Sequence, residues 1–569
     1  MAIENLITDH LDLWSAAVRP KSSAGRGSNS KLEVTGIKKL RELILELAVR
    51  GKLVPQDPCD EPASVLLERI AAEKARLVKE KKIKKPKALP EIGEEEKLFE
   101  LPDGWEWARL NDLGDWGAGA TPTRSNSDFY GGNIPWFKSG ELISDYIFKS
   151  EESVTELALS KSSLRYNDVG DVLVAMYGAT IGKTAILGVK ATTNQAVCAC
   201  TTFDGFLNLY LLQLLKAYRP RLIGMGAGGA QPNISKDKLI ATIVALPPFN
   251  EQKRIVSKID ELMALCDQLE QRSESQLAAH QRLVETLLAT LTDSGDADEL
   301  AQNWARLSTH FDTLFTTEAS IDALKQTILQ LAVMGKLVPQ DPSDDPASAL
   351  LERIASEKAQ LVREGKIKSE KQYPVISDVE LPHSKPDGWV FERFGNVLIN
   401  RDFERIPLAV SEREKRKGGY DYYGASGVID KIDGYLFDKP LLLIGEDGAN
   451  LINRSSPIAF IARGKYWVNN HAHVLDGFSE DLLKYVCLHI NAISLLPYIT
   501  GTAQPKMNQA KMNSIVLGIP PLAEQKRIVV KVDELMTLCD QLKSRLQTSQ
   551  QTQLALAESL VEGAMEDSI

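Results

Sequence analysis

Three short stretches carry residues able to do chemistry. Residues 178–184, GATIGKT, place Gly, Lys and Thr close to the spacing of a loop that cradles phosphate at a helix N-terminus. That pattern needs Gly where Tyr177 stands, and the AILGV that follows reads as a strand where a helix would have to open. We expect a hairpin turn that holds Lys183 near an anion. Residues 246–249, LPPF, have the shape of the Asn/Asp-Pro-Pro-aromatic motif that holds an amine for methyl transfer. The first position there must accept a hydrogen bond from the amine. Leu246 and its counterpart Ile519 cannot, and no Gly-rich cofactor fingerprint precedes them, so Pro-Pro reads as a helix-start device. His471-Ala-His473 would present two imidazoles on one face of a strand, but no neighbouring Cys or carboxylate pattern completes a metal site. The expectation is a chain with no catalytic residues, no metal and no bound cofactor.

The remaining polar constellations suit contact with DNA. Thr121, Thr123, Arg124, Asn126, Trp136 and Lys138 form a donor-rich set, with Tyr177, Lys183, Asn194, Gln195, Gln231 and Asn233 further along. A second set gathers Arg401, Arg405, Lys417, Tyr422, Tyr423, Ser426, Asn450, Asn453, Arg454, Asn469, Asn470, His471, Gln504 and Lys506. Arg and Lys neutralise phosphate, and Asn or Gln can pair bidentately with an adenine edge. The charge run 412–417, EREKRK, is by itself an ordinary solvated face.

Charge argues the other way. The net charge is −10 over 569 residues. Residues 102–248 hold 13 basic and 14 acidic side chains, and residues 386–519 hold 15 of each. A strongly basic footprint is missing, so weak or salt-sensitive DNA binding is expected of this chain alone. Six cysteines without a CxxC pair, no apolar run near the ~18 residues of a membrane span, and an N-terminus unlike a signal peptide predict a cytoplasmic protein.

The elements that must position these residues occur twice. Residues 37–84 match residues 321–368 at 34 of 48 positions, through GKLVPQDP and PASxLLERI. PDGW recurs at 102–105 and 386–389. LPPFNEQKRIV at 246–256 returns as IPPLAEQKRIV at 519–529, each opening an amphipathic helix. Ile255, Ile259, Leu262, Cys266 and Leu269 fall at 3-4 spacing on the first helix, and Ile528, Val532, Leu535, Cys539 and Leu542 on the second. Both cysteines read as buried small hydrophobes. The expected domains are a helical region at 1–101, a globular region at 102–245, a central helical region at 246–385, a second globular region at 386–518 and a long helix at 519–569. The fold class is α+β with a pseudo-two-fold repeat. Two globular α/β domains are held apart by two long helices that pair antiparallel through Ile255/Ile528 to Leu269/Leu542. The flanks of the globular regions match while their interiors differ, so one scaffold presents two different recognition surfaces.

These paired motifs, over essentially the whole chain, resemble the specificity (S) subunit of Type I restriction-modification systems. The resemblance implies a non-catalytic subunit whose two target recognition domains read a bipartite, asymmetric target in double-stranded DNA. The long helices would be a coiled-coil spacer. Two modification (M) subunits, carrying S-adenosylmethionine, would dock on the repeated helical blocks, and restriction (R) subunits, using ATP and Mg, would join them. A coiled-coil scaffold with two protein-binding globular domains is the alternative; it does not explain two unrelated interiors on matching frames.

Overall fold

The computed structural model describes residues 9–20, 32–85, 89–226, 232–367, 373–501 and 504–566; Leu6, the Ser/Gly-rich stretch 21–30, Gln231 and Lys368 lie outside them. The chain divides into two compact units. One gathers Met1–Arg19, Glu33–Glu274 and Thr552–Ile569, the other Pro20–Leu32 and Ser275–Gln551.

Each repeat block is a helix pair: Thr35–Val49 and Ala63–Lys79 in the first unit, Glu318–Val333 and Ala347–Arg363 in the second. The Gly between the helices has a physical reason. Gly51 and Gly335 sit at φ +71° and +70°, and a Cβ there would meet Pro102 and Trp105, or Pro386 and Trp389, at 3.1 Å or less. Only glycine takes that backbone and leaves that space. This contact ties each GKLVPQDP block to its PDGW.

The EQKRIV helix starts are equally constrained. Gln252 is fully buried; its Nε2 donates to the carbonyls of Gly205 and Pro247, both at 3.2 Å, and its Oε1 accepts from the Leu207 N–H at 2.9 Å. Gln525, also fully buried, donates to the Pro520 carbonyl at 3.0 Å. Two residues on, Arg254 pairs with Asp60 at 2.7 Å and Arg527 with Asp344 at 2.6 Å. The motif thus pins the helix start to its own globular region and its own repeat block.

The two long helices, Phe249–Asp293 and Leu522–Glu566, have 45 residues each, about 68 Å at ~1.5 Å per residue. Their stripes do not pair as expected. Ile255, Ile259, Leu262 and Cys266 are buried in the core of the first unit with Ile37, Leu40, Ile44 and Leu47, and with Leu554 and Ala557 from the end of the second long helix; Leu269 packs half-buried on that core. Ile528, Val532 and Cys539 are buried in the second unit with Ile321, Leu324, Ile328 and Leu331, and with Val284, Leu288 and Leu291 from the end of the first long helix; Leu535 and Leu542 are half-buried there. The predicted seam of Ile255/Ile528 to Leu269/Leu542 is therefore corrected, because the two stripes are buried in two different cores. A 3-4 stripe specifies that one face is covered, not by what, and the repeat-block helices offer equally apolar faces. Ion pairs edge the contacts: Arg41 meets Asp267 at 2.6 Å and Glu270 at 2.7 Å, while Lys325 meets Asp540 and Lys543 meets Asp322 at 3.0 Å.

Each globular region begins and ends on one strand pair. Glu106–Arg109 runs antiparallel to Ile243–Leu246, and Val390–Arg393 to Val516–Ile519. Between them the first unit has a five-stranded sheet ordered Gly114–Ala118, Val197–Thr202, Val172–Ala175, Thr184–Leu187, Tyr146–Ile147. The second has a four-stranded sheet ordered Ile399–Asn400, Ala472–Asp476, Leu441–Gly445, Ala459–Ala462. Each unit adds a three-stranded sheet, centred on Tyr130–Phe137 or Lys417–Gly424. No helix among the described residues is long and apolar enough to cross a membrane.

Candidate nucleic-acid interface

Residues 178–184 form the turn of a hairpin, a short 3₁₀ turn at Gly178–Thr180 leading into the strand Thr184–Leu187. No helix follows, so the phosphate-cradle geometry is absent.

Three loops meet at one edge of each globular region, and they are built alike. In the first unit the Met176 N–H donates to the Ala196 carbonyl at 2.8 Å, the Gly178 N–H to the Pro232 carbonyl at 2.8 Å, and the Ile234 N–H to the Met176 carbonyl at 2.9 Å. In the second, the Glu446 N–H donates to the His471 carbonyl at 2.8 Å, Gly448 to Pro505 at 3.0 Å, and Met507 to Glu446 at 2.8 Å. Asn194 and Asn469 play one role. Their backbone N–H groups donate to the carbonyls of Phe137 (3.0 Å) and Tyr423 (3.1 Å). Their Oδ1 atoms accept from the Ala196 N–H (3.2 Å) and the His471 N–H (2.8 Å). This is an Asx turn, which a short amide side chain closes without secondary structure.

The turn chemistry spends Asn194 and Asn469 on their own backbone and leaves the next residue at the tip. Gln195 and Asn470 are both exposed. The flanking tips are Tyr177 and Asn233 in the first unit, Asp447 and Lys506 in the second. Tyr177 is 39% exposed, Asn233 and Lys506 are exposed, and Asp447 is half-buried. One backbone frame thus presents Tyr/Gln/Asn in one domain and Asp/Asn/Lys in the other. The first trio is uncharged and amide-rich. The second adds a carboxylate, which accepts from the His471 ring at 2.8 Å, and an ammonium. In the first domain the Thr121 hydroxyl donates to the Gln195 side-chain oxygen.

The other predicted residues divide by what they touch. Arg124 stays at the surface but is held by Glu152 at 2.6 Å and lies over the rings of Tyr130 and Trp136. Lys138 joins the same carboxylate at 2.5 Å. The hydrogen bond to Glu152 raises both cations and lowers the carboxyl. Thr123, Ser426, Asn453 and Gln504 are exposed, and Lys183 is half-buried at the hairpin turn. Lys417 is exposed and paired with Asp430 at 2.7 Å.

Several predicted DNA contacts are structural instead. Trp136 is 1% exposed and donates to the Ala120 carbonyl, and Tyr422 is fully buried, its hydroxyl accepting from the Leu408 N–H. Tyr423 is half-buried, stacked on Phe460. Asn126 caps its own turn through the Asp128 N–H, and Asn450 organises the 450–456 turn. Arg401 is clamped by Asp476 (2.6 Å) and Glu404 (2.8 Å). Arg405 is clamped by Glu446 (2.9 Å), Asp402 (3.4 Å) and the Ala472 carbonyl (2.7 Å). Arg454 donates to the Ile493 carbonyl at 2.8 Å, and burial lowers its pKa. His473 is buried against Asp402, whereas His471 precedes the strand and is exposed, so the pair does not share a face. Among the described residues no cluster of His, Cys, Asp or Glu is arranged to hold a metal ion.

Asp447 was missed, as were Asp402 and Glu446. Aligning LVAMYG (173–178) with LLIGEDG (442–448) on their shared final Gly puts Met176-Tyr177 opposite Glu446-Asp447; that contrast was the available signal.

A family model for the Type I restriction modification DNA specificity domain matches residues 102–279 and 386–549. The EcoEI specificity subunit of a Type I restriction enzyme from Escherichia coli is 41% identical, covering 99% of this chain and all of that one. The EcoAI specificity subunit, also from Escherichia coli, matches at the same identity and coverage. A solved chain from work on assembly and conformational transition of the type I R-M system aligns over 82% of this chain and 99% of its own, at 15% identity and a TM-score of 0.47.

Proposed function

Because this chain belongs to the family of Type I restriction-modification DNA specificity subunits, we propose that its two three-loop edges each read one half of a bipartite, asymmetric DNA target. The chain's function is DNA recognition within a Type I restriction-modification complex. The finer reading is carried by one observation: two edges with the same backbone hydrogen bonds display Tyr177/Gln195/Asn233 on one and Asp447/Asn470/Lys506 on the other. A matched frame puts both trios in the same relation to a duplex, and different side chains there select different bases.

The chain itself holds no catalytic residue, on this reading, and binds no cofactor. Two modification subunits bring S-adenosylmethionine, and restriction subunits bring ATP and Mg. Two docking sites per chain follow from the duplicated blocks, each locked to its own long helix by Arg254–Asp60 or Arg527–Asp344. The balanced charge of each recognition region assigns much of the phosphate contact to the modification subunits. The assembly works in the cytoplasm, where its DNA is.

Gln195→Ala and Asn470→Ala test the reading. Each removes one exposed amide and leaves the Asx turn that presents it. Each should cost about 1–3 kcal/mol of discrimination at one base pair, in opposite halves of the target, with thermal stability unchanged. Methylation rates on duplexes bearing single base changes measure this. Loss spread evenly over both halves would sink the proposal.

A further inference from the structure

At three matched positions the two recognition domains differ in kind. Cys198 lies opposite Ala118 in the strand register of the first domain. In the second, extending the register Asn400↔Leu475 by two residues puts His473 opposite Asp402. Met176, in the loop above, corresponds to Glu446. An apolar trio in one domain is therefore a charged trio in the other, beneath the same three loops.

His473 is 1% exposed. Its Nδ1 lies 2.6 Å from Asp402 Oδ2, and its Nε2 lies 2.9 Å from the Met507 carbonyl oxygen. Both partners are acceptors. A neutral imidazole carries one N–H and satisfies one of them; only the imidazolium satisfies both. The surroundings hold that charge: Glu446 stands 3.9 Å from Nδ1, Arg405 lies between Asp402 (3.4 Å) and Glu446 (2.9 Å), and Lys506 reaches Glu446 at 3.2 Å. Burying four charges, on His473, Asp402, Glu446 and Arg405, is costly, and apolar residues fill the same place in the first domain, so folding alone does not explain the network. Met507 and Lys506 belong to the third loop of the proposed reading edge.

We propose that His473 is a positioning residue: as an imidazolium it ties the Met507 carbonyl to Asp402, fixes the loop that carries Lys506, and makes reading by the second domain, but not the first, depend on pH. This rests on the DNA-recognition reading above. Burial works against the charge, but the hydrogen bond and charge of Asp402, the Met507 carbonyl and Glu446 outweigh it and hold the imidazole above its usual range. A raised basic pKa gives a contribution that is complete below about pH 6.5, the unfolded value, and is lost as pH rises through the higher folded value. The first domain has Cys198 at this place and no such group.

The test uses the full chain assembled with its modification partner. Methylation is followed from about pH 6 to 9 on a duplex carrying the mapped target and on duplexes with one base pair changed in either half. Second-half discrimination should fall about three- to tenfold as pH rises, first-half discrimination should stay flat, and His473→Gln should flatten the second. A flat wild-type second-half profile, or a His473→Gln profile that superposes on the wild type, overturns the positioning role while DNA recognition stands. No half-specific discrimination in either protein overturns the recognition reading itself. Independently of any variant, ¹⁵N NMR of the seven histidines in the intact chain should find both ring nitrogens of His473 protonated near neutral pH; a neutral tautomer at about pH 6 would also refute the role.

Discussion

Leu262→Glu should unfold the first unit and leave the second folded. Leu262 is 2% exposed, in a core with Ile255, Ile259 and Cys266 of its own helix and with Ile37, Leu40 and Ile44 of the repeat block. Losing a buried Leu side chain costs about 2–5 kcal/mol, and a carboxylate with no partner in that core adds several more. The sum, on the order of 5–8 kcal/mol, compares with the ~5–15 kcal/mol that holds a domain together. Hydrogen exchange is the discriminating measurement. Protection should vanish across residues 33–274 and persist across 275–551, because Ile528, Val532 and Cys539 sit in the other core. A seam between the two stripes predicts something else: both units protected, with loss confined to the long helices. Methylation should disappear, since the first proposed reading edge and one proposed docking block lie in the unfolded unit. Leu269→Glu, at a half-buried position, should be markedly milder.

Arg405→Ala should destabilise the second unit by about 3–5 kcal/mol and abolish reading of one half-site without having touched DNA. Its guanidinium is 13% exposed and lies between two carboxylates that are each 12% exposed, Asp402 and Glu446. Removing it leaves both with only His473 and Lys506 as cations, and leaves the Ala472 carbonyl without the donor at 2.7 Å. The desolvation of those carboxylates is then uncompensated. A phosphate-contacting arginine behaves differently: its loss leaves thermal stability alone and lowers the salt dependence of binding by about one unit of slope. Thermal melting beside a salt titration separates the two. Lys417→Ala provides the contrast, because that side chain is 60% exposed and its surface pair with Asp430, screened by solvent, contributes little to stability.

Much of the architecture was legible because it is written twice. Matching blocks around GKLVPQDP, PDGW and EQKRIV fix the helix starts, the strand pair that closes each recognition region, and the halving of the chain. Those motifs are constrained by contacts to one another: Gly51 against Trp105, Gln252 against Gly205 and Pro247, Arg254 against Asp60. Partners were not legible. An apolar stripe such as Ile255 to Leu269 announces a buried face and is silent about whether a repeat-block helix or its own copy covers it. Side-chain type likewise does not reveal exposure. Arg401 and Arg405 read as DNA contacts because half of each clamp, Asp476 or Glu446, is distant in sequence, and the nearer Glu404 and Asp402 alone do not reveal it. Tyr422 and Trp136 read as DNA contacts because nothing local shows that each strand turns that face inward. Amides were half legible: Asn194-Gln195 and Asn469-Asn470 marked the right turns, but in each pair the first residue closes the turn and the second is presented.

On the proposed reading, two matched frames with different tips read two separate half-sites. Sequencing the methylated adenines in DNA from cells that carry this chain with its modification partner tests it most directly, repeated after exchange of residues 102–245 for the same region of another family member. The expected result is an asymmetric target in two parts with an unread gap set by the frame, as half-site spacing is set in other two-headed readers at about one helical turn. Exchange should replace one part and preserve the other and the gap. A target that is undivided, or one in which the exchange alters both parts together, would contradict it.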